Sequence, residues 1–465
     1  MNPQGERWTT DQVLALAPDE ASRKAGGKLA APGPWSETGA DDGAVWGLCE
    51  GSGKRPYQAV VDIKGTVFTC SCPSRKFPCK HALGLLLLWA DGDGAVAVGE
   101  PPHWAGEWLA GRRERAERSG RTPSGGAVSS RTPANPEAAK RRTERRMQRI
   151  AAGATELEQR LEDLLHSGLA AADGGGGGTS RLSGAESGGG SWDETAARMV
   201  DAQAPGLASR VRELGSVMAS GPEWPARLLE ECALLHLLDQ GFLGIERLPA
   251  PLAATVRSRV GLTTEAAELL TGPDAATVRD RWLVLAQQDS DDGRLTTRRI
   301  FLRGERTGRM ALHLSFGAGN RALDPTLPPG LLLDADLAYY PGARPLRAAL
   351  GERHAPATPG PVPPGIGIDA ALAAYGDALR DDPWLDSWPV VLTDVTPIPG
   401  HDGEGWQLAD ADGESALPLD PRSPGRTGLW QLAAISGGAP VTVFGECGHR
   451  GFLPLTVWDP TPVSL

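Results

Sequence analysis

Cys70, Cys72, Cys79 and His81 lie within twelve residues and carry the most specific chemistry in the chain. Three thiols and an imidazole are the donors zinc takes in a structural site, whereas calcium and magnesium prefer oxygen. Four protein donors close the coordination shell, which points to structural zinc and away from a catalytic ion that keeps a place for water. A redox pair of Cys70 and Cys72 would leave Cys79 and His81 without a role. Cys49 reads as a small buried hydrophobe and not as a fifth ligand.

The neighbouring elements must bring these donors together. Short strands are expected at residues 45–49, 57–63 and 66–69, with Lys64-Gly65 as the turn of a hairpin. In an extended chain, residues i and i+2 face the same way, so the end of that hairpin presents both Cys70 and Cys72. Pro73 and Pro78 restrict the loop that follows. A helix over residues 80–90 then holds Cys79 and His81 at its first turn, and Leu83, Leu85, Leu86, Leu87, Leu88 and Trp89 pack it on the hairpin. Upstream, Thr9-Thr10-Asp11 can cap a first helix, and a second is expected at residues 20–28. Structural zinc supplies on the order of 10 kcal/mol to so small a unit, so loss of one ligand should unfold it.

The spacing C-x-C-x6-C-x-H differs from the common C-x2-C…H-x3-H finger and resembles the SWIM zinc finger. The wider context, Trp46-Gly-Leu-Cys-Glu-Gly-Ser-Gly-Lys-Arg-Pro-Tyr57 and the run from Cys70 to Leu88, is similar to bacterial SWIM-family proteins of actinobacterial type, over residues 10–110. The resemblance implies a small strand-strand-helix fold, zinc as cofactor, and Cys70, Cys72, Cys79 and His81 as its ligands. It also implies DNA-binding or protein-interaction activity, and a MoxR-type AAA+ ATPase or a von Willebrand A (VWA) domain protein as partner.

Residues 51–90 contain six basic side chains, Lys54, Arg55, Lys64, Arg75, Lys76 and Lys80, against Asp62 alone. Tyr57, Phe68 and Phe77 interleave with them, as on a surface that meets phosphates or single strands. Lys54, Arg55, Arg75, Lys76 and Lys80 are therefore the candidate contacts with nucleic acid or a protein partner. The same lysines would equally solvate the outside of a small domain whose aromatics fill its core.

Charge divides the chain. Residues 1–149 hold 22 Lys and Arg against 17 Asp and Glu, while the remainder is strongly acidic and brings the net charge to −11. Any polyanion should thus meet the N-terminal part. Residues 112–149 carry 12 basic and 4 acidic side chains. Pro136 opens a helix there whose first half is basic and whose second half sets Ile150, Leu157, Leu161, Leu164 and Leu165 at helical intervals, suited to docking on the next unit. A Gly/Ser-rich stretch at residues 172–191 marks a flexible boundary.

At 465 residues the chain should form several domains. The expected class is multidomain α+β, with a zinc-stabilised SWIM module at residues 1–112, a basic linker, helix and Gly/Ser-rich segment at 113–191, a helical domain at 192–293 and a strand-rich α+β domain at 294–465. Helices are expected from Ser191 and at residues 207–218, 223–240, 250–260, 264–270 and 275–288. Strands are expected at 294–303, 310–316, 331–340, 390–395, 406–409, 429–436, 441–446 and 452–458, with a helix at 370–379. Cys232 and His236, four apart, could share one side of a helix, and Asp410-Ala-Asp-Gly413 reads as a turn. Cys447-Gly-His449 reads as a loop and not a metal site.

The six cysteines do not form a disulfide pattern, the N-terminus lacks an apolar signal core, and no apolar run approaches the roughly 18 residues of a membrane span. The cytoplasm is the expected compartment. No nucleophile elbow, phosphate loop or H-E-x-x-H motif occurs. The expected function is therefore a non-enzymatic, zinc-dependent adaptor or scaffold. The alternatives are a nucleic-acid-binding protein that uses the finger and the basic helix, and an enzyme with an unrecognised C-terminal site.

Overall fold

The computed structural model describes residues 8–17, 20–51, 55–63, 67–72, 74, 78–92, 94–119, 136–169, 189–218, 220–273, 275–291, 295–317, 325–400, 405–423 and 426–465. The chain begins with α1 (Thr10–Ala15) and α2 (Glu20–Gly27). Thr9 caps α1: its Oγ1 accepts the Gln12 N–H at 3.2 Å while the Gln12 side chain takes the Thr9 N–H at 2.9 Å. Next come β1 (Trp35–Ala40), β2 (Ala44–Cys49), β3 (Tyr57–Asp62), β4 (Val67–Cys70), α3 (Lys80–Asp91), β5 (Ala97–Val98) and α4 (His103–Ser119). The expected strand-strand-helix unit is β3, β4 and α3, and it sits in a larger sheet ordered β4-β3-β2-β1-β5. The sequence obscures β1, whose pairing with β2 is irregular between Ser36 and Gly39 and which holds Glu37 at φ 49°.

Helix α3 is buried on nearly every side, from His81 to Trp89. One side meets β2, β3 and β4, and α1 and α2 cover the other, so its unbroken leucine run is a helix enclosed between two layers. Gly92, at φ 79°, ends it in the left-handed conformation a Cβ would disfavour. The opposite face of the sheet packs Trp46 and Val60 under Ala105 and Leu109 of α4.

A helical bundle follows, made of α5 (Pro136–Ser167), α6 (Gly189–Asp201), α7 (Pro205–Val217), α8 (Trp224–Leu243) and α9 (Ala250–Val260), and the short α10 (Ala266–Thr271) after it lies against the strand-rich part. As its spacing predicts, α5 docks Ile150, Leu157 and Leu161 into the core with Met199, Val211, Leu235 and Val256. Leu164 is only partly buried and Leu165 is exposed.

The strand-rich part comprises two barrels. The first has β6 (Thr277–Asp291), β7 (Thr296–Gly304), β8 (Met310–Gly317), β9 (Leu331–Tyr339) and β10 (Ala348–Arg353), with β11 (Thr358–Pro359) on β9. After α11 (Ile368–Asp381), the second has β12 (Ser387–Ile398), β13 (Gln407–Ala409), β14 (Ala416–Pro418), α12 (Arg426–Ser436), β15 (Val441–Gly448), β16 (Gly451–Asp459) and β17 (Thr461–Ser464).

Two expected elements are corrected. Residues 275–288 do not form a helix: from Thr277 onward they lie in β6, whose residues 277–283 pair with β9 and whose residues 282–291 pair with β7, so the Leu-Ala-Gln-Gln run is held extended along β7; tertiary pairing overrides local propensity there. Residues 429–436 are not a strand but most of α12, whose Leu432 enters the barrel core. Cys447 likewise is no loop residue but a fully buried member of β15. The Asp410–Gly413 turn is present, with Gly413 at φ 73°.

Candidate metal centre

The hairpin and α3 position all four donors. Cys70 ends β4 opposite Ala59, and Cys72 lies two residues beyond it. Cys79 precedes α3 in an extended conformation, at φ −74° and ψ 166°, so its carbonyl accepts the Leu83 N–H at 3.0 Å while its side chain turns toward the hairpin. His81 occupies the first turn of α3. Cys79 and His81 are buried, at 0% and 4% exposure, as is Cys72, whereas Cys70 is half-buried.

One donor atom from each of the four residues lies within 4.8 Å of every other. His81 presents Nδ1, which is 3.7 Å from Cys70 Sγ and 4.0 Å from Cys79 Sγ. Zinc–sulfur bonds of about 2.3 Å and a zinc–nitrogen bond of about 2.0 Å, at tetrahedral angles, give donor–donor edges of roughly 3.5–3.8 Å. Three sulfurs and one nitrogen at this spacing fit one zinc ion and suit neither calcium nor magnesium. The donor types and spacing in the sequence, together with the resemblance to the SWIM finger, point to the same four residues.

Without metal, the thiols are electrostatically unequal. Cys79 is pushed down to about 4, chiefly by the hydrogen bond it accepts from Cys70 and further by those from His81 and the Ala82 N–H, against its burial. Cys70 is raised by donating that bond and then by burial, and Cys72 is raised chiefly by burial. Zinc binding therefore displaces thiol protons and strengthens with pH. The ion neutralises most of the negative charge that three thiolates would concentrate in a buried place.

Tyr57 of β3 lies with its ring centroid 4.8 Å from that of His81, an outer contact that orients the imidazole. The sequence identified this tyrosine as one of the aromatics among the basic residues, and only the fold turns it toward the ligand. Cys49 stands apart from the donors and gives its thiol hydrogen to the Glu50 carbonyl at 3.6 Å; burial raises it. Of the expected partner contacts, Lys80, between Cys79 and His81, and Arg55, two residues before Tyr57, are exposed, whereas Lys54, Arg75 and Lys76 lie outside the described residues. A cleft of about 470 Å³ opens beside His81, between α2 and β3, with Glu50 and Lys80 in its lining.

A second polar cluster lies in the bundle. His236 does not pair with Cys232, which is buried in the core. Its Nδ1 instead meets Glu158 Oε2 at 2.6 Å, and Gln240 Nε2 donates to the same oxygen at 2.8 Å. Asp239 is fully buried next to Glu158 and is pushed up to about 9, first by burial and then by the Glu158 charge. A protonated Asp239 can donate to Glu158 Oε1, which has no other donor among the described residues. Sequence periodicity marks α8 as buried on one face but does not show that a carboxylate from α5 meets it there.

Residues 61–90 match the SWIM zinc finger family, and residues 145–260 match the SWIM-associated four-helix bundle domain. No curated protein and no solved structure matches the chain. Among the described residues, no helix is long and apolar enough to cross a membrane.

Proposed function

We propose that this chain, which carries a SWIM zinc finger and a SWIM-associated four-helix bundle, is a non-enzymatic adaptor or scaffold whose zinc-stabilised finger contacts another macromolecule. The observation that carries the reading is the closed donor set. Four protein ligands, three of them buried, leave the ion a structural task, so function passes to the surface that the ion holds in shape. The exposed Arg55 and Lys80, together with the cleft beside His81, supply that surface.

The partner we favour is a protein, specifically a MoxR-type AAA+ ATPase or a VWA-domain protein, on the strength of the family resemblance. Cytoplasmic residence belongs to the same reading, since free thiolates suit a reducing compartment. The test is capture of either partner by the full chain, run beside Cys72→Ala. Capture by the zinc-loaded chain and its loss in the variant supports the reading; equal capture by both removes the finger from it.

A second reading is nucleic-acid binding by the finger together with α5. Arg142, Arg145 and Arg149 are exposed along the basic half of that helix, where they could follow a phosphate backbone. It requires affinity for a duplex or single strand that falls steeply with salt and weakens when Arg75, Lys76 and Lys80 are neutralised. Salt-insensitive or absent binding would sink it.

A further inference from the structure

The strand sets β6–β10 and β12–β16 share one connectivity. In each, the first strand pairs with the second on one side and the fourth on the other, the third flanks the second, and the fifth flanks the fourth. Each barrel closes through a parallel bridge between the third strand or the residue just beyond it and the start of the fifth, Leu312 to Arg347 in one and Leu419 to Phe452 in the other. Each first strand is irregular at one point, between Val284 and Ala286 and between Leu392 and Val395. In the second barrel α12 lies between the third and fourth strands. This closed order, 1-2-3-5-4-1, is that of the five-stranded oligonucleotide/oligosaccharide-binding (OB) barrel, whose ligands lie against strands 2 and 3. Such a likeness locates a face, and the side chains on it decide what it takes.

In the first barrel that face already holds polypeptide. Phe301 of β7 and Leu312 of β8 pack against Val391, Phe444 and Leu455 of the second barrel. The Phe301 and Phe444 ring centroids are 5.3 Å apart, and Arg299 meets Glu446 at 2.8 Å. Among the described residues, nothing covers the matching face of the second barrel. Two cross-strand rows, Ile398, Gln407, Pro418 and Thr396, Ala409, Ala416, alternate with the inward Pro397, Leu408 and Leu417. Ile398 is 45% exposed although it sits on a strand.

Carboxylates border this open face. Asp410, Asp412 and Glu414 lie in the β13–β14 turn, and Asp369 accepts the Ser415 hydroxyl at 3.4 Å. Among the described residues none of these four is in an ion pair. Residues 387–465 hold nine Asp and Glu against three Arg.

We propose that the outer face of β12, β13 and β14 docks an extended, Lys- and Arg-rich polypeptide. The first barrel supplies the precedent within the same molecule, since there the corresponding strands grip protein through apolar side chains and one arginine–carboxylate pair. On the second barrel the sign is reversed, with the carboxylates on the receiving face. Single-stranded nucleic acid, a frequent OB ligand, is repelled by those carboxylates. This goes beyond the zinc finger and depends on nothing at the metal centre.

Fluorescence anisotropy on the full chain, with a labelled decamer of alternating Lys and Leu and separately with a thymidine 20-mer, tests it. The peptide should bind. Ile398→Glu should weaken binding about tenfold even though it adds negative charge, and Asp412→Asn with Glu414→Gln should weaken it as well. A wild-type chain that ignores the peptide, or an Ile398→Glu chain that binds it equally or more tightly, overturns the proposal, the latter by revealing diffuse attraction to an acidic surface. Thymidine 20-mer binding that Ile398→Glu abolishes overturns it in favour of nucleic acid. Thermal melting checks that the variants fold; if Ile398→Glu melts early, the milder Ile398→Ser replaces it, which should weaken the peptide by loss of the apolar contact alone, and peptide binding equal to wild type then overturns the proposal.

Discussion

Cys70 Sγ and His81 Nδ1 lie 3.7 Å apart across the junction of the β3–β4 hairpin and α3. They join two elements whose packing otherwise rests on apolar contacts, so a zinc ion held between them fixes the entry of α3 to the sheet.

Cys72→Ala is expected to lower the metal content from about one zinc per chain to near zero. Because structural zinc contributes on the order of 10 kcal/mol in small domains, the variant and the chelator-treated chain should both lose the folded state of the N-terminal unit. Elemental analysis together with proteolysis of residues 8–119 checks this. Zinc retention by the variant would contradict the ligand assignment.

Asp239→Asn should stabilise the bundle at neutral and mildly alkaline pH. Burial raises the folded-state pKa of Asp239 to about 9, far above the ordinary carboxyl value. The folded state therefore binds a proton that the unfolded state gives up. The resulting contribution to stability is fully present below the unfolded pKa, falls as pH rises from about 4 to about 9, and is flat beyond. An amide can donate to Glu158 without ionising, so denaturant melts of the variant should show a gain of about 1 kcal/mol or more at pH 8 and little at pH 4. An unchanged pH profile would refute the buried, protonated carboxyl.

Gly206→Ala should separate α7 from α9. A Cβ at Gly206 would overlap the Arg259 carbonyl oxygen, a backbone atom that cannot swing aside. A destabilisation of about 1–3 kcal/mol is expected in thermal or denaturant unfolding, with Gly215→Ala, where the nearest atoms are 3.9 Å away, as the tolerant control.

Arg299→Met should weaken the contact between the two barrels. Glu446 is only 7% exposed and would keep the Ser387 hydroxyl as its remaining partner at 3.0 Å. Leaving a buried carboxylate without its cation costs about 3 kcal/mol. Replacing Glu446 by Gln in the same chain should recover part of that loss, measured as a double-mutant cycle.

The sequence by itself determined the metal centre, because C-x-C followed by C-x-H constrains donor type and local spacing so tightly that hairpin end and helix start follow. It also determined α5, whose leucine spacing requires a neighbour, and α9, which occupies the expected residues. Tertiary structure decided the rest. The stretch at 277–291 became β6 because its first half pairs with β9 and its second half with β7, and no local pattern in Leu285-Ala-Gln-Gln288 reports on Phe301, Ile300 and Arg299, which lie opposite it. The pairing of Glu158 with His236 and the shared order of the two barrels depend on which distant segments lie side by side. Such adjacency is selected by burial and hydrogen bonding over the whole chain, so it is absent from any single window of the sequence.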